Sequence, residues 1–222
     1  MRLRKRPSLP AFLKDLFFEP LGCPVCAMEG AGLCLACQQE VVFWGSFSHE
    51  GIRGSAMVHY HGPARQLVYN FKQKGSWEAE RGLELIMDRW LKESEDGAAL
   101  GPGQWDIIVP VPSGPARRKK RGFDPAAVLG RHLSRCTGIP LVRALENSGQ
   151  TEHKTMDRRD RRTAALDSFQ LRASQRSAIC HKRVLIFDDI MTTGNTLSAA
   201  AALLREADAL EIGFLVLERA TR

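Results

Sequence analysis

A mostly parallel α/β sheet with helices on both faces, preceded by a small metal-binding module, is the fold class this sequence predicts. Three observations point to it. From Ala56 onward, apolar strand-like runs alternate with helix-period segments, as in a parallel sheet covered on two sides. The apolar run Val184, Leu185, Ile186, Phe187 ends in two adjacent aspartates and a short Thr/Gly/Asn loop, which puts polar chemistry at the end of a buried strand. Two CxxC pairs lie near the start, in a stretch with few residues able to make a core.

The 222 residues suit one ordinary domain plus a small appendage, and 44% hydrophobic content supports a real core. The net charge of +7 is clustered. Arg117, Arg118, Lys119, Lys120 and Arg121 are consecutive; Arg158, Arg159, Arg161 and Arg162 form a second group; Arg2, Arg4, Lys5 and Arg6 form a third. Such clusters favour nucleic acid, phosphorylated metabolites or an anionic surface. A solvated tail is the simpler reading of the third group.

No apolar run approaches the roughly 18 residues of a membrane span. The opening basic residues precede an apolar stretch, but Lys14, Asp15 and Glu19 interrupt it, so a short amphipathic helix is expected over residues 8–20 rather than a signal peptide. The expected location is cytoplasmic, without membrane insertion.

Taken in order, Gly45 to Gly54 reads as a linker rich in Gly, Ser and His. AMVHYH, from Ala56, is a strand candidate. PARQLVYNFKQKG is a helix opened by Pro63 and stopped by Gly75. EAERGLELIMDRWLKESE is a longer amphipathic helix with Leu83, Ile86, Met87 and Trp90 on one face. EDGAALGPGQ is a loop, WDIIVPV a buried strand, and PSGPARRKKRGFD a basic loop. PAAVLGRHLSRCTG is a helix stopped by glycine. Asn147 to Asp167 is polar with weak periodicity and reads as an irregular arm closed by SFQLR. RVLIFD is a strand, LSAAAALLREADA a helix, and EIGFLVLER a final strand.

Of six cysteines, Cys23, Cys26, Cys34 and Cys37 form the two CxxC pairs, seven residues apart; Cys136 and Cys180 stand alone and are expected as buried fillers. Each CxxC turn presents two thiolates, and two such turns give tetrahedral ligation at about 2.3 Å, which suits a structural zinc ion. An iron–sulfur cluster is the alternative for four thiolates. A pair of disulfides fits the expected compartment poorly.

The aspartates at the strand end have several readings. A nucleotide triphosphatase needs the pattern GxxxxGK followed by Ser or Thr, and the chain has no Gly-Lys dipeptide. A capped strand end is the purely structural reading. A phosphosugar site is the third: loop N–H groups, hydroxyls and a helix N-terminus would face one anion, and the carboxylates would accept hydrogen bonds from sugar hydroxyls.

VLIFDDIMTTGNT resembles the thirteen-residue 5-phosphoribosyl-1-pyrophosphate (PRPP) motif of type I phosphoribosyltransferases at every position. The resemblance implies that Asp188 and Asp189 bind the ribose hydroxyls and that Thr192, Thr193, Gly194, Asn195 and Thr196 cradle the 5′-phosphate. A cysteine-rich start before such a domain is similar to the ComF family of competence-related proteins. FFEPLGCPVC, HYHGPARQLVYNFKQKG and DIIVPVPSGPARRKKRGFDPAAVLGRHL resemble that family's blocks in order. Asp124 occupies a position where the family usually has Asn, and Ala164 another in the arm.

What this implies is a type I phosphoribosyltransferase-like fold, with a helix and a four-cysteine zinc module over residues 1–50 and the main domain over 51–222. Pro112, Ser113, Gly114 and Arg121 would face pyrophosphate, with Mg2+ bridging it to the ribose. Two functions follow. One is a competence protein that binds PRPP–Mg, and single-stranded DNA through Arg117, Arg118, Lys119, Lys120, Arg158, Arg159, Arg161 and Arg162, with a DNA-translocating helicase and other competence proteins as family partners. The other is an active transferase passing ribose 5-phosphate to a nucleobase or another nucleophile. No base-reading residue is identifiable, and the chain itself does not name the acceptor.

Overall fold

The computed structural model describes residues 22–29, 32–149 and 168–220. The elements in chain order are α1 (Leu35–Gln39), β1 (Ser46–His49), β2 (Ile52–His59), α2 (Gly62–Lys74), α3 (Trp77–Glu93), α4 (Glu95–Ala99), β3 (Ile107–Pro110), α5 (Pro115–Arg121), α6 (Pro125–Thr137), β4 (Leu145–Asn147), β5 (Phe169–Leu171), α7 (Arg176–Ile179), β6 (Arg183–Met191), α8 (Asn195–Glu206) and β7 (Glu211–Arg219). The principal sheet has the order β1-β2-β7-β6-β3. β2, β7, β6 and β3 run parallel, and β1 is antiparallel to β2. β4 and β5 form a separate antiparallel pair.

Each central strand is apolar on both faces because each face is covered. On one side Leu67 and Phe71 of α2, Leu83, Met87 and Trp90 of α3, and Leu129 and Leu133 of α6 pack on Met57, Leu185, Phe187, Leu215 and Leu217. On the other, Leu197, Ala200, Ala201 and Leu204 of α8 pack on Val184, Ile186, Phe214 and Val216. Burying a side chain of this size contributes about 1.5–3 kcal/mol. The expected face of α3 is the buried one: Leu83, Ile86, Met87 and Trp90 are each at most 1% exposed.

The expected Gly stops hold. α2 ends at Gly75 (φ 61°) and α6 at Gly138 (φ 74°), both left-handed. Three segments differ from expectation. The expected linker is the β1–β2 hairpin, whose edge strand SFSH carries little apolar signal. Residues Glu95–Ala99 form a helix because Ser94 Oγ accepts from Gly97 N at 2.9 Å. The basic loop is helix α5, set by Pro115 in its first turn, Gly122 (φ 78°) at its end, and cations in a last turn that complements the backbone dipole. Among the described residues no helix is long and apolar enough to cross a membrane. The expected helix over residues 8–20 and most of the arm lie outside the described residues.

Candidate ligand-binding site

β6 lies between β3 and β7, and its carboxyl end carries the two aspartates. The Asp189 backbone N–H donates to Asp188 Oδ1 at 2.8 Å. Asp189 is 7% exposed, and Lys72 Nζ of α2 donates to its Oδ1 at 2.9 Å. This ion pair compensates the buried charge. At Asp188, burial, and next the Asp189 charge, push the carboxyl well above the usual range, with Lys72 opposing them.

The Thr192–Thr196 loop follows. Thr192 and Thr193 are exposed, Asn195 and Thr196 half-buried, and Gly194 buried. Gly194 has φ 78° and begins α8. Two constraints require glycine here: the left-handed backbone, and a Cβ that would overlap the His49 imidazole. His49 Nε2 is 3.3 Å from Ser198 Oγ in the first turn of α8. The β1–β2 hairpin therefore covers the loop.

β3 brings the second turn alongside. Val111 N donates to Phe187 O at 2.9 Å, so the Pro112–Ser113–Gly114 turn starts beside the β6 end. Ser113 N donates to Asp124 Oδ2 at 3.1 Å and Ser113 Oγ to Oδ1 at 3.4 Å. Burial raises the Asp124 carboxyl against these bonds; the Asp189 charge adds to the rise and Arg143 opposes it. A shallow, solvent-open depression lies here, lined by Pro112, Arg118, Asp124, Arg143 and Arg172. Three guanidinium groups, of which Arg172 also pairs with Glu146 at 3.8 Å, against the Asp124 carboxyl leave the pocket cationic, which suits a polyanion.

Arg121 is half-buried at the end of α5 and does not line this pocket, while Arg117, Lys119 and Lys120 are exposed on the same helix. Arg158, Arg159, Arg161 and Arg162 lie outside the described residues.

The four N-terminal cysteines converge: their Sγ atoms all lie within 4.8 Å of one another, and those of Cys26 and Cys34 are 3.6 Å apart. Tetrahedral ligation with ~2.3 Å bonds puts sulfurs ~3.8 Å apart, so the donor set fits a structural metal. Burial raises the Cys23 thiol, but backbone hydrogen bonds from Cys26, Cys34 and Val25 outweigh it and bring the thiol down to about 6. Cys23 and Cys37 are buried, and together with Leu33 they belong to the same core as α2 and α3.

Residues 78–220 match the phosphoribosyl transferase domain. The chain belongs to that family. Its fold is the type I phosphoribosyltransferase-like arrangement expected from the PRPP-like motif. Competence protein F of Haemophilus influenzae is 26% identical over 216 residues, covering 85% of this chain and 91% of that protein. Competence protein ComFC of Bacillus subtilis is 24% identical over 189 residues, covering 83% and 71%. Among solved structures, adenine phosphoribosyltransferase from Saccharomyces cerevisiae aligns at 16% identity with a TM-score of 0.44, covering 83% of this chain and 86% of that one.

Sequence reasoning did not single out Lys72, His49, Arg143, Arg172 or Glu218 as candidate site residues around the β6 end. Arg143 and Arg172 flank the β4–β5 pair, tied by the bond from Arg172 N to Ala144 O at 2.8 Å; no local spacing announces them. His49 sat in the expected linker. Glu218 left a visible signal: a carboxylate near the end of the apolar run of β7. Cys136 is exposed and Cys180 partly so, which corrects their expected role as buried fillers. Both helix-end positions are too near solvent to fill a core.

Glu218 is fully buried, and neither carboxylate oxygen has a hydrogen-bond partner among the described residues. It lies in register with Val58 and Ile190. Burial pushes its carboxyl up to about 9, the Asp189 charge adds to this, and Lys72 and Arg65 oppose it. Glu218 therefore holds its proton near neutral pH. In the unfolded chain a glutamate titrates near ~4.3, so between that pH and about 9 the native chain binds the extra proton and stability falls as pH rises. Glu218→Gln removes this dependence. In urea unfolding the variant should match wild type near ~pH 4.5 and exceed it by a few kcal/mol near ~pH 8. An unchanged difference across that range would contradict a buried protonated acid.

Proposed function

We propose that this chain binds PRPP together with Mg2+ at the carboxyl end of β6, binds single-stranded DNA along the outward face of α5, and acts in DNA uptake, as the names of its relatives suggest. The observation that carries the reading is the convergence of two aspartates and a glycine-based loop at the end of β6 with an arginine-lined pocket beyond the end of its parallel neighbour β3. In this reading Asp188 and Asp189 accept from the ribose hydroxyls. Thr192, Thr193, Gly194, Asn195 and Thr196 hold the 5′-phosphate with His49 beside them. Pro112, Ser113 and Gly114 face the pyrophosphate, whose charge Arg118, Arg143 and Arg172 neutralise, with Arg121 at the rim. Bound Mg2+ would offset the negative charge of the pyrophosphate. The four cysteines hold Zn2+ as a structural ion. A DNA-translocating helicase and other competence proteins are the partners the family suggests.

Calorimetric titration of PRPP with and without Mg2+ tests the site: saturable, magnesium-dependent binding supports it, and no heat from a folded, metal-replete chain removes it. Transfer of ribose 5-phosphate to a nucleophile is a second reading, favoured by the cationic pocket at the leaving-group end. Pyrophosphate release when candidate nucleobases are added to the PRPP–Mg2+ complex separates it from binding alone.

For DNA, the triple variant Arg117→Ala, Lys119→Ala, Lys120→Ala leaves the pocket-lining Arg118 in place. Each phosphate contact contributes about 0.7 to the slope of log K against log salt for single strands, so the variant should lower that slope by about 2. Fluorescence anisotropy of a labelled oligonucleotide across salt concentrations measures it. An unchanged slope would place DNA binding elsewhere.

A further inference from the structure

We propose that Asp88, His132 and Cys136 form a second metal site, joining α3 to α6, for zinc or a similar late first-row divalent ion. His132 and Cys136 are four residues apart on α6, so both side chains leave the same face. Asp88 reaches them from α3. The three ligand atoms all lie within 4.8 Å of one another. Cys136 Sγ is 3.5 Å from His132 Nε2 and 3.4 Å from Asp88 Oδ1. A tetrahedral ion with S and N/O bonds of ~2.3 and ~2.05 Å sets such pairs ~3.6 Å apart. The remaining pair, His132 Nε2 and Asp88 Oδ1, is at hydrogen-bond distance, 2.7 Å, and an ion would replace the shared proton.

An imidazolium held between two carboxylates would account for His132, Asp88 and Glu84, but not for the thiol that meets both. The outer groups also suit a metal. Glu84 Oε1 faces His132 Nδ1 at 3.4 Å, the position from which a carboxylate orients a metal-bound histidine. Arg81 and Arg135 hold Glu84 in turn. The N, O and S donors suit zinc over magnesium or calcium. Cys136 is exposed, so a fourth coordination position opens to water and the ion would exchange readily. Loading releases the thiol proton and the Nε2 proton to solvent.

The test compares the intact chain with Cys136→Ser and Asp88→Asn after equilibrium dialysis against micromolar Zn2+, followed by metal analysis. Wild type should carry one equivalent more than either variant, whatever the occupancy of the four N-terminal cysteines. With Co2+ that extra equivalent should add sulfur-to-metal absorption, lost in Cys136→Ser. Alkylation of wild type, mapped by mass spectrometry, gives a readout free of folding effects: Zn2+ should slow modification of Cys136 about tenfold, because a metal-bound thiolate is no longer the free nucleophile. Equal metal content in wild type and folded variants, or alkylation of Cys136 unaffected by Zn2+, would overturn the site.

Discussion

Replacing Asp188 and Asp189 together by alanine should weaken PRPP–Mg binding by at least ~100-fold while leaving the fold intact. Hydrogen bonds to charged groups are worth about 1.5–3 kcal/mol each, and two of them amount to roughly 10²–10⁴ in affinity. The fold should tolerate the change because the native carboxylates crowd one another. Asp188 is held well above its usual range by burial and by Asp189, and Glu218 is raised by burial and by Asp189. Removing both carboxyl groups relieves that crowding. Lys72 loses its partner but keeps a neighbouring carboxyl in Glu218, which then ionises more readily. Titration calorimetry beside circular dichroism separates the two effects. Wild-type affinity in the folded double variant would leave the β6 end as architecture alone.

Stripping metal from the four N-terminal cysteines, or Cys37→Ser, should lower the melting temperature of the whole chain by roughly 10 °C, from a loss of a few kcal/mol. The effect should not stay local. Cys23, Leu33 and Cys37 share one core with Leu67, Phe71, Leu83 and Trp90, so loosening the CxxC turns opens a face of α2 and α3. Pro24 O also accepts from the buried Asn70 side chain at 3.2 Å, and that bond would be lost with the turn. Scanning calorimetry, with metal content measured in the same samples, reads the change. An unaltered transition in metal-free protein would show that packing alone holds the cysteine turns.

The parts of the fold legible in the sequence were those with a strong apolar signal. β6 and β7 are continuous hydrophobic runs, α2 and α6 combine a helical stripe with a glycine stop, and α3 carries a long apolar stripe. β1, α4 and α5 were not legible because their stability comes from elsewhere: pairing with β2, a Ser94 cap, and Pro and Gly at the two ends of a cationic turn. The motif at the β6 end is local in sequence and visible there. The groups that surround it are contributed by distant elements. Lys72 comes from α2, His49 from the hairpin, and Arg143 and Arg172 from the β4–β5 pair. Such placement is a property of topology, and no spacing rule within one segment encodes it.

The central position of β7 has a consequence for how the protein is made. Residues 211–219 are inserted between β2, at residues 52–59, and β6. During synthesis the β1–β2 hairpin therefore leaves the ribosome with one long edge unpaired, and it waits through some 150 further residues before its permanent neighbour emerges. Such an edge is a template for mispairing with other chains, and long-range parallel pairing is slow to form. Arg53, a charged side chain within β2 itself, is suited to keeping that early intermediate apart from its neighbours until β7 fills the gap.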